Sequence, residues 1–123
     1  MASIMRLHLK YRLWIAEMNA DISVLRIFND YLGWLEQNDN TSEIDNCINT
    51  YKQQFAELRK ELDELKHEMH IVKMKLAALS KQGNAEVDIK ELIGYKACKE
   101  RYKTFRKKFS ETKKEFTKLE EVE

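Results

Sequence analysis

The run ELKHEMH, residues 64 to 70, places Glu64, His67, Glu68 and His70 within two helical turns. Glu-x-x-His is half of the carboxylate-bridged di-iron signature of helical bundles, where two such pairs and two further carboxylates project into the core. The chain has only three histidines, and His8 has no glutamate three positions before it. One chain therefore cannot supply the second pair. Leu62, Leu65 and Met69 belong to the apolar seam of this segment, which turns Glu64 and His67 to the far face with His70 beside them. The expectation is a solvated cluster, with no metal site and no cofactor. Adventitious zinc or nickel on His67 and His70, at neighbouring turns, is the lesser alternative.

Other chemistry is sparse. There is no glycine-rich phosphate loop, no Cys-x-x-Cys and no serine in a strained turn. Ser80 and Ser110 read as ordinary helix positions. Cys47 and Cys98 are the only cysteines and neither has a second one nearby, which argues against a disulfide framework or a zinc cluster. Both read as small core residues in a reducing compartment. The balance is against an enzyme.

The basic stretch is the second candidate. Between Lys96 and Lys118 lie ten Lys or Arg against three Glu, interleaved with Tyr102, Phe105, Phe109 and Phe116. Basic residues alternating with aromatics suggest stacking on nucleic acid. Those aromatics, however, recur at core spacing. What remains is a basic face of Lys99, Lys103, Arg106, Lys107, Lys113 and Lys114, which can bind phosphate or an anionic surface without them. Glu57, Glu61, Asp63, Glu64 and Glu68 offer the same cations a counter-charge. Net charge is only +1, so no global field steers the chain to nucleic acid, and nucleic-acid binding is the alternative rather than the principal reading.

These residues must be positioned by helices. The chain has no proline and three scattered glycines, so it lacks the punctuation of an all-β protein. Ile44, Ile48, Tyr51, Phe55, Leu58, Leu62, Leu65, Met69, Val72, Leu76 and Leu79 follow one another at alternating steps of four and three, a coiled-coil seam. Asn40 with Glu43 marks the start of this second helix and Gly83 its stop. A third helix starts at Asp88, with Glu91 reaching back and Val87 packing on Leu92 as a capping box and staple. Its seam is aromatic: Leu92, Tyr95, Cys98, Tyr102, Phe105, Phe109, Thr112, Phe116 and Leu119. Gly94 falls within its first turns.

The first helix carries two stripes. One reads Tyr11, Trp14, Met18, Ile22, Leu25, Phe28, Leu32 and Leu35, the other Leu13, Ala20, Val24, Ile27, Tyr31 and Trp34. A helix apolar on two sides needs cover on two sides, and a bundle of three helices has no central position to provide it. The N-terminal segment is broken by Arg6, Lys10, Arg12 and Glu17, which argues against a signal peptide or membrane span, although residues 1 to 16 contain no acid, as in a presequence or membrane-surface helix.

The resulting expectation is an all-α protein: one domain, 1–123, folded as an antiparallel bundle of three long helices at about 4–37, 42–82 and 88–120 with coiled-coil-like packing. Its surplus apolar surface implies a homo-oligomer, a dimer first, or a protein partner. The expected role is non-enzymatic interaction or scaffolding in the cytoplasm, with Leu13, Val24, Ile27, Tyr31 and Trp34 at the interface.

Overall fold

A computed structural model describes residues 1–38 and 42–119, with side chains for 1–38 and 45–118. Three long helices dominate: α1 (Ile4–Asn38), α2 (Ser42–Lys81) and α3 (Tyr95–Leu119). The seam of α2 is buried from Ile48 to Leu76, with Leu79 half-buried. In α3 the seam positions Tyr95, Cys98, Tyr102, Phe105, Phe109 and Phe116 are buried. Burial thus follows the three-and-four spacing, as it must when one face of each helix is removed from water. The Asn40–Glu43 start signal and the side chains of Ile44 and Leu119 lie outside the described residues.

The stop of α2 has a clear chemical cause. Gly83 sits in the left-handed region at φ 87°, the conformation that glycine adopts without steric cost. The Gly83 amide donates to the Ser80 carbonyl at 3.0 Å and the Asn84 amide to the Leu79 carbonyl at 3.1 Å, the two bonds of a Schellman motif. The chain then turns back along the start of α1. Two short strands, β1 (Ala2–Ser3) and β2 (Glu86–Val87), pair antiparallel with Ala2 opposite Val87 and Ser3 opposite Glu86, and the Ile4 amide adds a bond to the Ala85 carbonyl at 3.0 Å. No periodic pattern announces strands of two residues.

The expected start of the third helix at residue 88 needs correction. Asp88 does act as a cap, its side chain accepting from the Lys90 amide at 3.0 Å, but what it caps is a single 3₁₀ turn, Ile89–Glu91. Gly94, at φ 91°, takes the chain out of helical geometry, and α3 begins only at Tyr95. Val87 and Leu92 are buried in the same cluster, so the pairing read as a staple exists around a turn rather than a helix start.

Two apolar clusters fill the interior. The larger joins Met18 to Leu32 of α1, Ile48 to Met69 of α2 and Cys98 to Phe116 of α3, while the smaller joins Ile4 and Leu7 to Val72, Leu76, Val87, Leu92 and Tyr95. Trp14 packs against both. Phe116 meets Phe28 at 4.7 Å, Tyr51 at 4.9 Å and Phe55 at 5.1 Å between ring centroids, closing one end of the larger cluster with aromatic rings. The backbones of α1 and α2 approach each other most closely, and α3 stands further off. Its wide aromatic side chains set that spacing, because interaxial distance follows the size of the residues at the contact. No described helix is long and apolar enough to cross a membrane.

Candidate functional site

The most distinctive surface belongs to α1, the least amphipathic of the three helices. Its inner stripe is satisfied within the chain: Met18, Ile22, Leu25, Phe28 and Leu32 are buried, with Tyr11, Trp14 and Leu35 packed beside them. The opposite side is apolar and open. Met5 is 78% exposed, Ile27 64%, Leu9 and Leu13 57% each, and Trp34 56%. Leu13, Ala20, Ile27 and Trp34 recur at strict intervals of seven, Leu9 precedes Leu13 by four and Ala16 follows it by three. Ala16 and Ala20 are exposed as well. From Leu9 to Trp34 this outer stripe runs about 37 Å at the α-helical rise.

The five residues expected at an interface do not all share one environment. Leu13, Ile27 and Trp34 lie on the open stripe. Val24 and Tyr31 are half-buried and pack against the larger cluster, and the Tyr31 ring meets Phe116 edge-on at 6.2 Å. Tyr31 also stacks on Trp34 at 6.1 Å, so it connects the inner and outer faces. The twofold apolarity of α1 therefore resolves into an inner seam, a shared shoulder and an outer stripe.

On the side facing α3, α1 carries polar groups that sequence reading did not pair. Asp21 is buried and forms an ion pair with Arg106, and Glu17 accepts a hydrogen bond from the Tyr102 hydroxyl. Burial raises the Asp21 carboxyl above the usual carboxylate range, opposed chiefly by Arg106. Burial and the bond to Glu17 both push the Tyr102 phenol well up. The placing of Arg106 on a solvated basic face therefore needs correction: its guanidinium is committed to α1. The two groups are far apart in sequence, and nothing in local spacing reveals such a pair.

The acidic side of α2 is also engaged. Arg101 binds Glu64 at 2.5 Å and Glu68 at 2.7 Å, and Lys108 lies 3.8 Å from Glu61. Glu64 therefore flanks α3 rather than facing directly away from it, whereas His67 and His70 are exposed. Among the described residues no group of three His, Cys, Asp or Glu is placed to hold a metal. Lys99, Lys103, Lys107, Lys113 and Lys114 have no ion-pair partner there. The cysteines divide. Cys98 is buried, its thiol pushed up to about 11 mainly by burial, but Cys47 is exposed. That corrects its assignment to the core, and the reason is phase: position 47 precedes the seam residue Ile48 and points off the seam.

Cavities offer little to a small molecule. The void between Leu7, Tyr11, Trp14, Met69, Val72, Leu76, Tyr95 and Cys98 measures about 10 Å³, room for at most about one water. A larger hollow of about 570 Å³ is lined by Ala56, Arg59, Lys60, Asp63, Glu64 and His67, all on one face of α2, with no second element to wall it in. No family model matches the chain, and no curated protein or solved structure is significantly similar to it.

Proposed function

We propose that this chain is a non-enzymatic interaction or scaffold protein that presents the outer stripe of α1 to another protein chain. The observation that carries the reading is the run of exposed Leu9, Leu13, Ile27 and Trp34 on one side of a helix whose other side is already packed. Exposed apolar residues aligned on one helix face, here interrupted by Ser23 and Asp30, are a mark of a docking surface, whereas scattered ones are not. The framework behind it is read as an up-down-up antiparallel bundle. In support, α1 falls in residue number as α2 rises, from Glu36 on Lys52 through Phe28 on Phe55 to Tyr11 under Lys73. The same reversal relates α2 to α3, from Phe55 on Phe116 to Glu68 on Arg101.

Light scattering tests the reading. Interfaces of standard size bind from micromolar to picomolar, so at ~100 µM the protein alone, or with its partner, should exceed the monomer mass. The chain mass for comparison is 14.7 kDa. Ile27→Asp with Trp34→Asp removes roughly 1.5 to 3 kcal/mol of burial per residue, enough to weaken association more than a hundredfold. Helix content by circular dichroism should be unchanged, because both side chains stand outside the core. Association that survives the double change would overturn the reading.

A second reading has one observation in its favour: Lys99, Lys103, Lys107 and Lys114 of α3 make no ion pair among the described residues, and Lys113 acts on Asp21 only through its charge. Binding through phosphate neutralisation weakens steeply with salt. A nucleic-acid or anionic-surface role requires tight binding to a mixed-sequence duplex or single strand that falls away as salt rises and is abolished by Lys103→Glu with Lys107→Glu. The expected result is no tight complex at physiological salt.

A further inference from the structure

We infer that the face shared by the start of α1 and the last turns of α2 binds an acidic lipid surface. The chain has 21 Asp or Glu, yet residues 1–16 and 69–85 contain none, against six cations: Arg6, Lys10, Arg12, Lys73, Lys75 and Lys81. The fold brings these two segments together. Lys73 Nζ stands 5.5 Å from the centre of the Tyr11 ring, and a hollow of about 260 Å³ has Met5 and His8 of α1 on one side and Ala77 and Ser80 of α2 on the other. The acids that flank both segments are turned elsewhere. Glu17 accepts from Tyr102 and Glu68 pairs with Arg101, both on α3, while Glu86 stands on β2 opposite Ser3. Among the described residues none of the six cations forms an ion pair; Lys75 donates to the Ile93 carbonyl and Lys73 lies over Tyr11. Their positive charge is thus left uncompensated within the bundle.

Apolar side chains stand among these cations. Met5 and Met74 are exposed, and Leu9 adjoins them from the edge of the outer stripe. Met74 precedes Ala77 by three and Lys81 follows it by four, so all three share one side of α2, at the hollow. Nucleic acid would match the cations and leave the methionines in water. A headgroup layer over acyl chains meets both, because its phosphates and carboxylates attract the cations while apolar side chains enter about 5 to 10 Å into the boundary. The long stems of Lys and Arg let their charged ends stay at headgroup level as the methionines go deeper. This face is separate from the Ile27 and Trp34 end of α1, and the inference does not depend on what occupies that end.

The test is flotation of the full chain with vesicles of about 30% phosphatidylserine in phosphatidylcholine, compared with phosphatidylcholine alone. Binding to the acidic vesicles should be at least about a hundredfold tighter than to the neutral ones, and the excess should fade as salt rises. Arg12→Glu with Lys81→Glu should weaken it at least about thirtyfold, since each cation near such a surface contributes roughly fivefold. Met5→Ser with Met74→Ser, which leaves the charge intact, should weaken it by on the order of tenfold. All four side chains are exposed, so helix content by circular dichroism should not change. Lys103→Glu with Lys107→Glu on α3 should have a far smaller effect. Failure to bind acidic vesicles at low salt, equal binding to neutral ones, or a loss driven by the α3 pair would overturn the inference. Binding that the methionine pair leaves unchanged would overturn it too, because the face would then be a polyanion site of the kind nucleic acid fills.

Discussion

Phe55→Ala is expected to lower stability by about 3 to 5 kcal/mol, the usual range for truncating a fully buried phenylalanine. Phe55 is 1% exposed and its ring meets Phe28, Tyr51 and Phe116 at 5.1 to 5.7 Å, one contact from each of the three helices. Removing it leaves a hole that stiff neighbouring rings cannot close. For a chain of this size the loss corresponds to a fall in melting temperature of roughly 10 to 20 °C, readable by calorimetry. Phe55→Leu, which keeps most of the volume, should cost much less. Equal losses for the two variants would mean that the aromatic cluster does not carry the end of the bundle where Phe116 sits.

The second large effect concerns Asp21 and Arg106. Arg106→Leu strands a buried carboxylate and should cost about 2 to 4 kcal/mol at neutral pH, somewhat below the figure for a fully enclosed pair because Arg106 stands partly at the surface. The side chains are 8% and 36% exposed respectively. Its pH dependence has a definite sign. Burial raises the folded-state carboxyl above its unfolded value of 3.8, and Arg106 is the main influence holding it down. A raised acid pKa means that folding favours the protonated form, so its contribution to stability declines as pH rises through the interval between the two values. Without the guanidinium that interval extends upward. The deficit of the variant against the unaltered protein should therefore shrink as pH falls toward 4, and denaturant titrations at several pH values measure it. Asp21→Leu combined with Arg106→Leu should recover most of the stability, because replacing both partners by apolar groups strands no charge.

Which features could be read from sequence follows from the range over which each is encoded. The seams of α2 and α3 are local periodicities repeated over many turns, and they appear as buried faces almost position by position. The surplus of apolar positions on α1 was likewise readable, since composition and spacing alone require a second stripe. The division of that stripe was not: Val24 and Tyr31 sit on the border, and only the placement of Phe116 on α3 draws Tyr31 partly inward. Asp21 with Arg106 and Glu17 with Tyr102 join residues from opposite ends of the chain, which no short-range rule can pair. The start of α3 was misread for a different reason. Gly94 falls within the first turns of the expected helix, but its positive φ makes it a break, and the cap at Asp88 serves only one turn.

The small β1–β2 clasp bears on how the molecule opens. Pairing Ala2 with Val87 closes a loop that contains the whole of α1 and α2, at a larger entropic cost than the turn into either neighbouring helix, in return for two residue pairs and the burial of Val87 with Ile4. Such a contact becomes favourable only after the two long helices have docked, and it is among the first to be released. The end of α1 that displays Met5 and Leu9 is held by this clasp and the smaller apolar cluster of Ile4 and Leu7, while the Ile27 and Trp34 end is anchored beside the larger, aromatic one. A chain bound across the outer stripe would hold the clasped end down from outside. Association would then be visible as slowed amide exchange around Ile4 and Ala85, away from the contact itself, because binding and closure of the clasp draw on the same local equilibrium.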